Sequence, residues 1–415
     1  MFYLNTEDMK SKLHIKALII ALVCIVGLNP SNVLNAKEKQ DNKAKYIFLF
    51  IGDGMGATHA AAAESYLSYK KGKFGGERLS FTDFPAYGSV TTFSANRPIT
   101  CSSASGTAIA CGAKTNNGMV GMDKDSVNLK SVASVLEEMG YKIGIMSNVP
   151  INHATPSAFY AHNVSRNNYY EISRDIASSG FEFFAGPGFL EYDGKNHDKP
   201  ATDIYLEKKG YVVSYGMDEF NQESKKAKKI ILCQESAKKE QTGNYTNDAK
   251  SKEDFSLEQM VDAAIGYLGD KEPFFIMCEG GNIDWAAHSN LTMPMVQNIL
   301  IFDEAIQRAL KFYEEHKDET LIIVTADHET GGLTLGCEGS KKINWKEIEK
   351  IWIESGYKNT LSKEENKALN TKCSFGWTTR SHTGGPVPIY AIGKGAERFI
   401  GRLDNTEIKP RILAE

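Results

Sequence analysis

Long apolar runs are nearly missing from this 415-residue chain. The most hydrophobic stretch, Ala17 to Leu28, is too short for a comfortable transmembrane helix, which argues against a stable membrane span in the processed protein. Strong charge of one sign is missing too. A formal net charge of -4 and the lack of a basic stripe exclude a nucleic acid as a specific partner. No CxxC occurs among the seven cysteines, so their spacings identify neither a thiolate motif nor a pairing. Internal repeats are absent. What remains, 41% hydrophobic and 24% charged, is ordinary globular composition.

At the N-terminus, Lys10, Lys12 and Lys16 precede the apolar run, and small or polar residues follow as far as Asn35-Ala36. A basic start, a short apolar core and a small residue at the cut read as a secretory signal over 1–36, so the product is expected to be exported, periplasmic or secreted. Met9 is an alternative start. A retained anchor is the competing reading, and bulky Val23 speaks against a lipoprotein at Cys24. An oxidising compartment permits disulfides, and Cys337 and Cys373, which flank an insertion, are the pair expected to bridge.

Residues 37–415 read as a single catalytic domain. Short apolar runs end at turn residues or acids: Tyr46–Ile51 before Gly52-Asp53-Gly54, Lys142–Met146 before Ser147-Asn148, Phe274–Cys278 before Glu279-Gly280-Gly281, Leu321–Thr325 before Ala326-Asp327-His328, and Val387–Ile392 before Gly393. Such runs read as buried strands. Helical patterns over Ser131–Met139, Ser256–Leu268 and Pro294–Glu315 alternate with them. The alternation predicts an α/β fold with a large, mostly parallel central sheet and helices on both faces. The stretches 168–255 and 336–378 break the alternation and are expected to be insertions; the second contains a helical piece, Trp345–Ile353.

Ligands of open α/β sheets gather at the carboxyl ends of the strands, where this chain places Asp53, Glu279 and Asp327-His328. In Glu279-Gly-Gly-Asn-Ile-Asp284-Trp-Ala-Ala-His288, Asp284 and His288 stand four apart, on one face of a helical turn. Asp and His are a natural ligand pair for zinc. The adjacent glycines are expected to let backbone approach an ion or substrate. Asp327 and His328 share one ion only across a sharp turn, which Gly331-Gly332 suits. His382, in Ser-His-Thr-Gly-Gly-Pro, adds a further candidate. Oxygen and nitrogen ligands without thiolates suit zinc or magnesium. The small-residue stretch Thr100 to Gly112 reads as a tightly packed helix. A serine at its N-terminus would sit where free N–H groups favour a phosphate; physics alone does not rank Cys101, Ser102 and Ser103.

Together these motifs resemble the alkaline phosphatase family, over most of the core from Tyr46 to His382. The family pattern Asp-Ser-Ala-Ala-Ser-(Ala/Gly)-Thr-Ala matches Cys101-Ser102-Ser103-Ala104-Ser105-Gly106-Thr107-Ala108, which implies Ser102 as the nucleophile. The resemblance further implies one zinc held by Asp284, His288 and His382, and a second by Asp53, Asp327 and His328. A third, magnesium, site would use Asp53, Thr155 and Glu279. Arg166 would clamp phosphate. The implied reaction is hydrolysis of phosphate monoesters through a covalent phosphoserine, and a homodimer is the family's common assembly. Departures are informative. Cys101 replaces the Asp that steadies the arginine, which implies a more mobile Arg166. His153 and Trp285 stand where some members have Asp and Lys, which bears on the third metal and on phosphate release. A sulfatase is disfavoured because Cys101-Ser-Ser-Ala-Ser lacks the Pro and Arg of Cys-x-Pro-x-Arg. A phosphodiesterase and a non-catalytic zinc- or phosphate-binding protein are the remaining rivals.

Overall fold

The structure, a computed structural model, describes residues 43–240, 254–340, 342–358 and 360–415. The expected leader, 1–36, lies outside them. Ala44–Leu413 gathers into one compact unit.

Its strands in chain order are β1 (Tyr46–Ile51), β2 (Ala86–Thr91), β3 (Lys142–Ser147), β4 (Phe183–Gly186), β5 (Val212–Tyr215), β6 (Ile230–Cys233), β7 (Phe274–Glu279), β8 (Thr320–Thr325), β9 (Glu329–Thr330), β10 (Leu333–Leu335), β11 (Phe375–Trp377), β12 (His382–Thr383), β13 (Val387–Gly393) and β14 (Gly401–Asp404). Ten of them form one sheet in the order β14-β2-β13-β8-β1-β7-β3-β4-β6-β5. Neighbours pair in parallel except around β13, which is antiparallel to both β2 and β8. Strands β1, β7 and β8 are buried along their whole length. That is why they read as unbroken apolar runs: with helices above and below, neither face of a parallel strand meets water.

Two groups of helices pack closely among themselves. Ala57–Lys70, Leu257–Leu268, Asn282–His288 and Thr292–Glu315 pack together. So do Ser102–Cys111, Val132–Glu138, Ala154–Ser157 and Ile408–Leu413. The result is the expected α/β fold with a mostly parallel sheet between helical layers.

Register brings the candidate residues together. Ile51 pairs with Glu279 on one side and Thr325 on the other, and Ser147 pairs with Glu279. The segments leaving β1, β7 and β8 therefore emerge side by side at the carboxyl edge. Segment 168–255 contributes β4, β5 and β6, which extend one end of the sheet. Segment 336–378 contributes the helices Trp345–Glu354 and Lys363–Lys372. Trp345 locks it to the core, its indole Nε1 donating to Ser65 Oγ at 3.0 Å.

The expected bridge between Cys337 and Cys373 is not formed: both are free thiols. Cys337 Sγ turns instead toward the Thr371 carbonyl, 3.7 Å away, at the end of the Lys363–Lys372 helix. Cys373 is buried as that helix's C-cap, and burial pushes its thiol pKa up to about 11.

Candidate active site

Four carboxylates converge beyond the strand ends. Asp53, Glu279 and Asp327 are 0% exposed and Asp284 is 4% exposed. Gly54 (φ +72°) makes the turn after β1 and leaves room for them: a Cβ there would lie 2.9 Å from both Asp284 Oδ1 and Thr330 Oγ1. Gly280 and Gly281 also serve packing: a Cβ on Gly280 would lie 2.7 Å from Phe302 Cδ2 and one on Gly281 2.6 Å from Val149 Cγ2.

Such a cluster cannot all ionise unaided. Burial, reinforced by Asp327, Asp284 and Glu279, holds the Asp53 carboxyl well above the usual range. Burial pushes Glu279 and Asp327 up to about 7. Asp284 differs: burial opposes its charge, but the hydrogen bond from His288 and the nearby His328, His288 and His382 outweigh it and hold its pKa down.

Many polar atoms here lack partners. Both Asp53 oxygens, Glu279 Oε1, Asp327 Oδ2 and Thr155 Oγ1 are buried without a well-formed hydrogen bond. Thr155 nonetheless lies close enough to Glu279 to help its carboxylate ionise. Buried polar atoms are normally satisfied, so this concentration of unpaired oxygens fits a bound cation.

The histidines make the same point. His288 Nδ1 lies 2.6 Å from the Arg380 carbonyl, and His382 Nδ1 2.9 Å from the Thr100 carbonyl. A carbonyl only accepts, so each Nδ1 carries the proton. Thr330 Oγ1 donates to Asp284 Oδ1 at 2.5 Å, which leaves its lone pair to accept from His328 Nδ1 at 3.2 Å. All three rings therefore turn Nε2 inward, the nitrogen left to bind a metal once deprotonated; at His288 the Asp284 carboxylate, 3.3 Å from Nε2, raises the ring's pKa. His288 Nε2 and His382 Nε2 face each other at 3.1 Å, an approach that either a proton on one ring or a shared cation reconciles.

Three groups place ligand atoms within 4.8 Å of one another: Asp284, His288 and His382; Asp53, Asp284 and His328; and Asp53, His153 and Glu279. The first is the set expected from sequence. In the second, Asp284 stands beside Asp53 and His328, and Asp327 joins through its Oδ2, 3.2 Å from His328 Nε2. The third contains His153, with Thr155 beside Glu279. The donors are oxygen and imidazole nitrogen, which fit zinc and magnesium.

Ser102 is the first residue of the Ser102–Cys111 helix, 2% exposed, with Oγ 3.2 Å from His328 Nε2. Geometry thus separates it from its neighbours. Ser103 Oγ and Cys101 Sγ contact each other at 3.2 Å, and Cys101 Sγ also accepts from the Gly118 amide at 3.1 Å. Arg166 finds partners other than the residue at position 101. Its amide donates to the Gly118 carbonyl at 2.7 Å and its guanidinium to His153 Nε2 at 3.0 Å. Burial and the Arg166 charge hold the His153 pKa down, to about 3, so the ring is neutral. Trp285 stands edge-on to that ring at 5.7 Å.

Sequence reasoning missed Thr330, Ser147 and Ser105. Ser147 donates to Glu279 Oε2, and Ser105 Oγ donates to the Asp327 carbonyl at 2.6 Å. Both lie inside segments already singled out, at the end of β3 and in the helix after Ser102.

Known proteins share this chain's sequence pattern and fold. A family model described as alkaline phosphatase matches residues 44–182 and 193–414. Alkaline phosphatase 4 of Bacillus subtilis (strain 168) is 30% identical over 453 residues, 97% of this chain and 96% of that protein. The solved alkaline phosphatase of the Antarctic bacterium TAB5 superposes with a TM-score of 0.73 at 31% identity, over 90% of this chain and 98% of that one. A histidine-to-glutamate mutant of it, with Mg bound in its M3 site, superposes with a TM-score of 0.72 at 30% identity, over the same shares.

Proposed function

Because the chain belongs to the alkaline phosphatase family, we propose that this phosphomonoester hydrolase works through a covalent phosphoserine at Ser102, with two zinc ions and one magnesium. Asp284, His288 and His382 would hold one zinc, Asp53, Asp327 and His328 the other, and Asp53, Thr155 and Glu279 the magnesium. Bound there, the ions supply Lewis acidity, lowering the serine hydroxyl's pKa and neutralising charge on the phosphoryl and leaving oxygens.

The chain's own residues do the rest. Ser102 Oγ, having given its proton to water, attacks phosphorus, forming the Oγ–P bond as the bond to the alcohol oxygen breaks and that oxygen takes a proton from water. Its place at a helix N-terminus points backbone N–H groups and the positive dipole end at the incoming phosphate. Arg166 offers a planar fork to the phosphoryl oxygens, and His153 aims it. Water then cleaves phosphoserine and releases phosphate. In a loose transition state most of the acceleration comes from such positioning and charge neutralisation.

The observation that carries this reading is the convergence of Ser102 with three inward-facing Nε2 atoms and four buried carboxylates. Export belongs to the same proposal: among the described residues no helix is long and apolar enough to cross a membrane, and the signal read at 1–36 would direct secretion. The test is hydrolysis of p-nitrophenyl phosphate at alkaline pH by the chain from Lys37 onward, with zinc and magnesium, after chelation, and beside bis-p-nitrophenyl phosphate. Chelation-sensitive turnover of the monoester well above the diester is expected. Ser102→Ala should lose most activity and keep its zinc; Arg166→Ala should cost less, because the metal sites still hold phosphate. Diester turnover alone would replace the reading with a phosphodiesterase, and zinc binding without turnover with a binding protein.

A further inference from the structure

Ser105 follows Ser102 by three residues on the same helix, so the two share a face. It is buried, and its hydroxyl has two partners. One is the Asp327 carbonyl at 2.6 Å, the oxygen of the peptide that joins Asp327 to His328. The other is Asn405 Nδ2 at 2.8 Å, brought in by the C-terminal segment that follows β14. Asn405 is buried as well, and its Oδ1 lies 2.6 Å from Lys114 Nζ. Lys114 sits 3.0 Å from the Asp404 carboxylate, which keeps it an ammonium, and over the Phe93 ring at 3.8 Å. A chain of hydrogen bonds thus runs from Lys114 through Asn405 and Ser105 to a peptide flanked by two candidate metal ligands.

That chain has one direction. An ammonium only donates, so it takes the oxygen of the Asn405 amide and not the nitrogen. The amide NH2 then faces Ser105 and donates to a lone pair of its hydroxyl. The Ser105 proton has to leave elsewhere, and the Asp327 carbonyl, which only accepts, receives it. Without that constraint a serine inside a helix can turn its proton to the carbonyl four residues back, here that of Cys101. Each bond also polarises the next, so the charge on Lys114 strengthens the bond at the far end.

We propose that Ser105 is a positioning residue: its hydroxyl holds the Asp327–His328 peptide against the helix that carries Ser102, and Lys114 and Asn405 fix the direction of that bond. One hydrogen bond then sets the place of the nucleophile relative to two ligands of the same zinc. The C-terminal segment, distant from these residues in sequence, enters the geometry of the site through Asn405. Among the described residues no hydrogen bond joins this chain to Asp284, His288 or His382, so the other zinc is outside its reach. This role for Ser105 rests on the nucleophile and the metal assignment made above.

The test is competition for zinc between the full chain and a chromophoric chelator, in saturating magnesium and below the melting transition, so that a change reports the site and not the fold. In Ser105→Ala one zinc equivalent should bind about tenfold more weakly, the usual size for loss of an outer partner, and the other as in the wild type. Asn405→Asp is the sharper variant. Its carboxylate accepts from both neighbours, so Ser105 turns its proton away from Asp327. It should weaken the same equivalent by a similar factor and add nothing in the Ser105→Ala background. Lys114→Met should weaken that equivalent too, whereas Lys114→Arg, which still only donates, should not. At saturating zinc, kcat for p-nitrophenyl phosphate should fall about tenfold in Ser105→Ala and Asn405→Asp. Wild-type zinc affinity in Ser105→Ala would overturn the proposal, as would equal weakening of both equivalents, which a general loosening of the fold produces. Wild-type affinity in Asn405→Asp would overturn the directed chain. Should either variant fail to fold, the other decides. Because the titration needs no turnover, zinc binding without hydrolysis would count against the proposed reaction and leave this outcome readable.

Discussion

At the scale of single residues, Thr330 is the one whose importance only the structure reveals. Its hydroxyl donates to Asp284 Oδ1 and accepts from His328 Nδ1, tying two ligands assigned above to different zinc ions through one oxygen. Thr330→Val keeps the shape but leaves a buried carboxylate oxygen without its donor and a ring N–H without its acceptor. Loss of an outer partner of this kind typically lowers metal affinity about 10- to 100-fold. Titration of zinc against a chromophoric chelator should show that loss, and Thr330→Ser should restore most of it; wild-type affinity in Thr330→Val would refute the bridging role. The ligands themselves were legible because Asp, Glu and His repeated beside glycines at strand ends seldom serve packing alone. Thr330 was not, because a threonine announces nothing until the fold sets Asp284 on one side of it and His328 on the other. His153 was visible only as a departure from the family pattern, and its hold on Arg166 depends on where the 160s loop passes.

At the scale of elements, the Ser102–Cys111 helix is the piece on which the chemistry is mounted. Every residue in it is buried, and Gly112 closes it in the left-handed conformation (φ +72°). Its small side chains permit a close approach: a Cβ on Gly106 would lie 3.3 Å from Ala158 Cβ and 3.4 Å from Thr155 Cα. Its other side is tied down by Asn405, which donates to Ser105 Oγ at 2.8 Å. Gly106→Val should therefore overpack the contact and push on the segment carrying Thr155. We expect a stability loss of about 1–3 kcal/mol in thermal unfolding, accompanied by weaker magnesium binding; an unchanged magnesium affinity would show that the two helices are not coupled. The small-residue pattern foretold this helix and its end. Strands β4, β5 and β6 were harder to read: each is four residues long, set in a polar stretch, with too few residues for a period to show. Strand β2 alternates between buried and half-exposed or exposed positions and lacks the continuous apolar signal of β1 or β8.

For the molecule as a whole, the buried carboxylates make stability depend jointly on metal and pH. Without metal, Glu279 and Asp327 have pKa values pushed up to about 7, above the roughly 4 expected of the unfolded chain. The folded form then binds protons more tightly than the unfolded form. The stability these two groups contribute is full below about pH 4 and is lost as pH rises through about 7. A divalent cation reverses the sign, because its ligands must be deprotonated to bind it, so its stabilisation grows with pH. The gap in melting temperature between the zinc-loaded protein and the same protein in chelator should therefore widen from pH 5 to pH 8. Other carboxylates titrate in both forms and largely cancel in that difference. A gap of constant size across this range would mean that the four converging acids are not held together by metal. The packing of Phe50, Phe302 and their neighbours beneath them would then have to carry the cost of the buried charge alone, which apolar contacts have no means to neutralise.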